Sequence, residues 1–342
     1  MPSVRLEPIE EEIECGDDET VLDAAFRQGF NLVHGCREGQ CSACKCFLLE
    51  GEVTLKRYSS FALSDTEESQ GYTLLCRAMP DSDLVVELLH VDDDYRLAHP
   101  IVEGRSRVTA IDSLTHDIYR LELEVTDPAD TFGFEAGQYV DLVIPGTETR
   151  RSFSMANLPD GRIELIIKHY PGGAFSSLLA ESLKVGDELD FHGPYGSLRL
   201  RESDRDVLMI AGGSGMAPVL GLLRELARRG GGRKVAFFYG GRARADLFYG
   251  EEIAALVEQI PELQFIQVLS EPAGDDGWDG AQGFVHEAAC AALAAGELTD
   301  PEVYMCGPPP MIDAAIDDLT STHGVAEDDI HFDKFTTAAE AE

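Results

Sequence analysis

Cys36, Cys41 and Cys44 stand at C-x4-C-x2-C spacing, and Cys76 follows with 31 residues between it and Cys44. Few patterns limit a fold more. Four thiolates at this spacing are the plant-type ligand set of a [2Fe–2S] cluster. Three must come from one tight loop, and a distant segment must return to close the cage. Gly35 and Gly39 lack a Cβ, so they are expected to make the left-handed turns that aim backbone N–H groups at sulfur. A zinc site would offer two C-x2-C knuckles, and this stretch has one. A disulfide framework belongs to short secreted chains, and this chain has 342 residues. Cys46 lies outside the ligand spacing and reads as a packed thiol on the strand leaving the loop. Cys15 and Cys290 read as inert core cysteines.

The length allows two to three domains, each with its own core. The net charge of −36 disfavours nucleic acid and anionic membrane as partners, since both would repel it. Residues 1–99 hold 21 Asp and Glu against 8 Lys and Arg, which suits a basic docking patch, although most of these carboxylates serve solvation. Met1–Glu12 is acidic and has no apolar core of a signal peptide. No apolar run approaches the roughly 18 residues of a membrane span. The expectation is a cytoplasmic protein with no membrane partner.

Hydrophobic patterning divides the chain into three. Residues 1–94 read as strands, a helix opened by Thr20 and ended by Gly29, the cysteine loop, a strand, the last ligand and a closing strand at Leu84–Leu88. This is the order of a small β-grasp module. A linker is expected at 95–103, within a polar stretch that starts at Val91. Residues 104–202 carry short strands at turn-punctuated intervals, Arg105–Ile111 through Glu188–Phe191, with one helix from Ala174. That pattern indicates an antiparallel barrel. From 203 to 336 the pattern becomes βαβ, with strands at Val207–Ala211, Lys234–Tyr239, Gln264–Leu269 and Glu302–Met305, a doubly wound layout. A short acidic tail spans 337–342. The fold class is therefore α+β and multidomain.

Three motifs in the later domains carry chemistry. In Arg151-Ser152-Phe153-Ser154, alternation puts Arg151 and Phe153 on one face of a strand. The guanidinium suits a phosphate, the phenyl can cover a planar ring, and the Ser154 hydroxyl can donate to a ring nitrogen. Gly172-Gly173, followed by Ser176, opens a helix whose bare N–H groups suit pyrophosphate. Two such motifs in one barrel point to a flavin dinucleotide. Gly212-Gly213-Ser214-Gly215-Met216-Ala217-Pro218 then follows a buried strand. Pro218 takes the place of the third glycine of G-x-G-x-x-G, which the first turn of a helix tolerates. Tyr239 to Arg242 is where an adenosine ribose would lie. Cys306-Gly307 ends a late strand, where a small thiol could touch a nicotinamide.

Together these residues resemble one family: the reductase components of bacterial multicomponent oxygenases, with a plant-type ferredoxin fused to a ferredoxin–NADP⁺-reductase-like flavoprotein. The resemblance covers about 330 residues, the span of all three domains. It implies the cofactors [2Fe–2S], FAD and NADH, with cluster ligands Cys36, Cys41, Cys44 and Cys76. It implies that Arg151 holds an FAD phosphate, Phe153 stacks on the flavin and Ser154 reaches its N5. Phe153 replaces the family's tyrosine, so the stack survives without the phenol. Gly173 and Ser176 match the pyrophosphate turn. Gly213, Gly215 and Pro218 match the nicotinamide-dinucleotide loop, Cys306 and Gly307 the nicotinamide side, and Phe335 the aromatic that shields the flavin.

The implied activity is NADH-dependent electron transfer through FAD and the cluster to the hydroxylase of a soluble di-iron monooxygenase of the alkane or alkene type. That partner would dock on the ferredoxin domain. The cysteine loop, Tyr58–Leu63 and Leu75-Cys76-Arg77 resemble that branch. Reductases of Rieske aromatic-ring dioxygenases share the domain order. A redox-responsive signalling flavoprotein and a structural zinc module are the readings from other classes. Arg242 and Arg244 leave a 2′-phosphate, and so NADPH, open.

Overall fold

A computed structural model describes residues 1–91, 95–129, 132–274 and 277–335. The expected tail at 337–342 lies outside the described residues, as do Asp92–Asp94 of the acidic stretch that starts at Val91. The chain forms two compact units, Met1–Ile101 and Val102–Phe335.

The first unit is built on a five-stranded sheet in the order Glu11–Glu14, Ser3–Glu7, Leu84–Leu88, Lys45–Glu50, Tyr72–Leu74. Ser3–Glu7 pairs with Leu84–Leu88 in parallel and with Glu11–Glu14 antiparallel. Val4, Leu6, Val86 and Leu88 alternate into the core. The helix Val21–Arg27 covers them with Val21, Leu22, Ala24, Ala25 and Phe26. Thr20 caps it through a bond accepted from the Asp23 N–H, and Gly29 leaves it at φ 85°. One helix on a mixed sheet is the β-grasp arrangement. The sequence reading left residues 53–70 unassigned. They contain the strand Val53–Leu55, which pairs with Ala78–Pro80 in a two-stranded ribbon, and the short helix Asp65–Ser69. Elements this short carry too little periodicity to be read.

The second unit contains two sheets. The first is antiparallel, in the order Arg150–Ser154, Tyr139–Val143, Glu188–Tyr195, Val102–Ser113, Ile118–Asp127, Arg162–Lys168. A bridge between Met155 and Leu165 joins its two edges and closes the barrel. Val108, Leu121, Leu123, Val140, Leu142 and Phe191 fill it.

The other sheet is parallel, in the order Ala281–Gln282, Leu263–Leu269, Val235–Gly241, Val207–Gly212, Glu302–Gly307, Ile330–Lys334. Helices Met216–Arg228 and Gly250–Gln259 pack on one face, through Leu220 and Ile253 against Met209 and Phe237. Helices Val285–Ala294 and Pro309–Ser321 pack on the other, through Ala289 and Ile312 against Leu208 and Ile210. The strand order reverses between Val207–Gly212 and Glu302–Gly307, and ligands of such sheets bind outside the carboxyl ends at that switch. The edge strand Ile330–Lys334 was not expected. Its five residues, Ile-His-Phe-Asp-Lys, alternate as a strand does but are too few to stand out, and they pair with Glu302–Gly307.

A buried ion pair ties the start of this sheet together. Arg233 Nη2 lies 2.5 Å from Glu302 Oε2, and Glu302 also accepts from Ser203 and Tyr304. Among the described residues no helix is long and apolar enough to cross a membrane.

Candidate functional site

The first unit holds the cysteine loop. The Cys36 N–H donates to Cys41 Sγ at 3.2 Å, and the N–H groups of Glu38 and Gln40 donate to Cys36 Sγ at 3.4 and 3.2 Å. The Cys36 thiol is drawn down to about 6, first by its hydrogen bond with Cys41 and then by those backbone donors. Cys44 and Cys76 form a second hydrogen-bonded thiol pair. Two bonds deliver Cys76: the Leu75 N–H donates to the Cys44 carbonyl at 3.1 Å, and the Leu22 N–H donates to the Leu75 carbonyl. Four sulfurs therefore stand in two pairs, with backbone N–H donors at Cys36, Cys41 and Cys76. That is the donor set two irons require, with two thiolates each, and these residues fit the cluster.

The turns fall at other positions than expected. Gly39 has φ 71°, as read from the sequence, but the remaining left-handed positions of the loop are Arg37 (58°) and Ser42 (63°) and not Gly35. Gly39 is constrained twice, because a Cβ there would meet Tyr58 Cβ at 2.7 Å and Arg77 Cγ at 2.9 Å. All eight cysteines are free of disulfides. Cys46 is fully buried on Lys45–Glu50, and burial pushes its thiol up. Cys15 and Cys290 are buried as well, each raised to about 11 by burial.

The second unit has a cleft of about 260 Å³ at the carboxyl ends of the parallel strands. Gly212, Gly213, Tyr239, Arg242, Gly307 and Phe335 line it. Gly213 has φ 57° and open space where a Cβ would project. The Tyr239 hydroxyl donates to the Gly213 carbonyl at 3.2 Å and pins that turn. Phe335 is held at the mouth by its N–H, which donates to the Gly307 carbonyl at 2.9 Å. Gly215, Pro218 and Cys306 do not line the cleft. They lie beneath it: Pro218 sits in the first turn of Met216–Arg228, and Cys306 is fully buried with its thiol pushed up by burial.

The barrel motifs meet each other. Arg151 and Phe153 face the same way as Leu142 and Val140, their partners on the next strand. The Phe153 ring lies 5.0 Å from that of Phe175, on the helix that follows Gly172-Gly173. Gly172 has φ 79°, and Gly173 caps the helix without a side-chain hydrogen bond. A Cβ on Gly173 would lie 2.5 Å from Ser176 Oγ, which is hydrogen-bonded to the Tyr170 backbone. Ser154 is buried, and Ser152 donates to Asp141. A strand with an arginine and a flat ring thus stands beside a helix start with open N–H groups. That arrangement suits a dinucleotide with a planar ring and a pyrophosphate.

Several cleft residues escaped the sequence reading. Lys168 and Asp117, 3.3 Å apart, enter from the barrel, and Asp246 enters from the loop after Val235–Gly241. Asp246 Oδ2 accepts from the N–H groups of Arg242 and Ala243 at 2.9 and 3.1 Å. The Arg242 side chain lies 3.6 Å from it and is 61 % exposed. A fixed carboxylate stands where the sequence pointed to arginines. No local signal marks Asp246, because its importance comes from a loop folding back. Glu164 was missed for the same reason. From the barrel it accepts from Arg224 at 2.9 Å and Tyr249 at 3.3 Å, both on the parallel-sheet side.

Comparison with known proteins covers the same three regions. Residues 4–81 match a 2Fe-2S iron-sulfur cluster binding domain, 105–200 an oxidoreductase FAD-binding domain, and 209–317 an oxidoreductase NAD-binding domain. The chain is 47 % identical to the reductase component of propane 2-monooxygenase from Gordonia sp. (strain TY-5), covering 98 % of this chain and 97 % of the relative. It is 39 % identical to the reductase component of phenol 2-monooxygenase from Pseudomonas sp. (strain CF600), covering 99 % and 95 %. Among solved structures, the ferredoxin reductase in carbazole 1,9a-dioxygenase superposes with a TM-score of 0.76 at 33 % identity, covering 98 % of each chain.

Proposed function

The chain belongs to the ferredoxin-fused reductase components of multicomponent oxygenases, and from that premise we propose how its residues divide the work of carrying electrons from NADH to a hydroxylase. It is an NADH-dependent oxidoreductase with FAD and a [2Fe–2S] cluster. A bound flavin would supply hydride acceptance and single-electron release, and a bound cluster one-electron carriage. The rest is placement. Cys36, Cys41, Cys44 and Cys76 hold the iron, and the N–H groups of Cys36, Glu38 and Gln40 stabilise negative sulfur. Arg151, Gly172, Gly173 and Ser176 hold the flavin phosphates. Phe153 and Phe335 flank the ring system, with Ser154 near its reactive edge. Gly212, Gly213, Gly215 and Pro218 shape the turn for the nicotinamide dinucleotide. Tyr239 and Arg242 border its adenosine half and Gly307 lies on its nicotinamide side, while Cys306, buried beneath the cleft, supports that loop from below.

The partner is the hydroxylase of a soluble di-iron monooxygenase of the alkane or alkene type, docking on the acidic ferredoxin domain. The 47 % identity to a propane monooxygenase reductase supports this choice. The setting is the cytoplasm, where metal-bound and free thiols are the default. The carrying observation is the pairing of four sulfurs within a shell of N–H donors, in one chain with a nucleotide cleft at a strand switch. Iron and flavin analysis, with visible spectra before and after NADH, tests it. Bleaching of both flavin and iron–sulfur absorption is expected. Loaded protein without iron or without FAD would end the reading.

A further inference from the structure

Phe61 is 94 % exposed, the most exposed of the large apolar side chains among the described residues. It is not exposed because its segment is loose. Ala62 and Leu63, directly after it, are fully buried. The Phe61 N–H donates to Ser59 Oγ at 3.2 Å, and the N–H groups of Ala62 and Leu63 donate to the Ser59 carbonyl at 2.9 and 3.2 Å. Two buried anchors and a closed turn therefore hold the phenyl outward.

The same turn is clasped to the cysteine loop. The Ser59 N–H donates to the Gly39 carbonyl at 2.9 Å, and Tyr58 packs where a Gly39 Cβ would stand. The Tyr58 hydroxyl donates to Glu68 at 2.6 Å, which ties the turn to the helix Asp65–Ser69 as well. Phe61 is thus a rigid apolar knob on the rim of the site that holds the iron.

Rigid aromatic side chains that lose all their water on docking are typical anchors of protein interfaces. Electron transfer falls steeply with distance, so a partner taking electrons from the loop must seat itself against this rim. Exposed carboxylates Glu38, Asp65 and Glu68 lie on the loop and on this segment, with Lys56 and Arg57 on its N-terminal side. The 21 acidic against 8 basic residues of 1–99 make the surroundings strongly negative.

We propose that Phe61 is the docking anchor of this chain for its hydroxylase, filling an apolar socket that is rimmed by Arg or Lys. The inference rests on the reading that the chain feeds a hydroxylase, and it names the contact.

The test uses the full-length, fully loaded reductase and the purified hydroxylase, with Phe61→Ala and Phe61→Leu variants. Iron and flavin content, NADH–ferricyanide activity and the rate at which NADH bleaches the cluster are expected to stay within about twofold of wild type, because the side chain has no partner to lose in the fold. The hydroxylase concentration for half-maximal turnover should rise at least about tenfold in Phe61→Ala and recover partly in Phe61→Leu. An unchanged hydroxylase titration in Phe61→Ala overturns the proposal. So does slower bleaching of the cluster with an unchanged titration, since the phenyl would then serve the flavin domain. Failure of loaded wild-type reductase to reduce the hydroxylase at all would instead remove the parent reading, and the anchor with it.

Discussion

Gly215 starts the helix Met216–Arg228 so close to the end of the strand Glu302–Gly307 that a Cβ on it would lie 2.0 Å from the Cys306 carbonyl oxygen. Backbone meets backbone there, and no rotamer change can relieve the clash. Gly213, two residues earlier, differs: its φ is 57° and nothing lies within 4 Å of a Cβ. Gly215→Ala is expected to lower the melting temperature and abolish NADH-dependent ferricyanide reduction together. Gly213→Ala should cost only about 1–2 kcal/mol of backbone strain while raising the KM for NADH, because the added methyl projects into the cleft. Thermal melts and NADH kinetics on both variants separate fold from binding.

Cys41 and Cys46 are close in sequence but differ in environment. Cys41 Sγ accepts a backbone hydrogen bond in the paired sulfur set, whereas Cys46 is buried on a strand. Cys41→Ser is expected to abolish electron delivery to the hydroxylase and keep NADH–ferricyanide activity. Cys46→Ala should keep the iron–sulfur spectrum and lose only stability. If Cys41→Ser stays folded and loses both activities, the proposed division of labour is wrong.

Asp246 is expected to discriminate between the nucleotides. Its carboxylate is fixed by two N–H donors and lines the cleft beside Arg242. A 2′-phosphate would face that charge. Asp246→Asn removes the charge, keeps an acceptor for the two N–H groups and frees Arg242. The preference for NADH over NADPH is expected to shrink by roughly tenfold, about 1.4 kcal/mol. Initial rates with the two nucleotides measure it.

Glu302 sets an acid limit on stability. Burial alone would raise its carboxyl, but hydrogen bonds from Arg233, Ser203 and Tyr304 overcome this and hold it below the ordinary 4.5. A carboxyl lowered by folding contributes its stability in full above that ordinary value. The contribution is lost as pH falls through the lower, folded value. Melting temperature should therefore drop on acidification below 4.5. Glu302→Gln leaves the Arg233 guanidinium buried without its anion, a loss of about 3–5 kcal/mol at neutral pH, and should flatten the acid limb. Melts from neutral to acid pH on both proteins check both parts.

Much of this was legible from residue order. Thr20 and Gly29 bound their helix as read, because caps act on the nearest backbone groups. The strand Arg162–Lys168 was read with its observed bounds, since alternation marks a half-buried strand. Asp65–Ser69 and Ile330–Lys334 escaped because short or edge elements owe their existence to neighbours. Asp246 escaped because nothing in its immediate sequence distinguishes it from any other surface aspartate.

Residue order carried the patterning of the regions that match 2Fe-2S, FAD-binding and NAD-binding domains, and it offered the C-x4-C-x2-C loop and the glycine turns as site candidates, because each of these is written in residues near one another. Tertiary structure alone decided that Phe153 lies against Phe175, that Glu164 joins Arg224 and Tyr249, that Asp246 enters the cleft and that Phe61 stands in water. The physical reason is separation: these pairings and exposures depend on packing between segments far apart in the chain, and that packing exists only once all of them have folded.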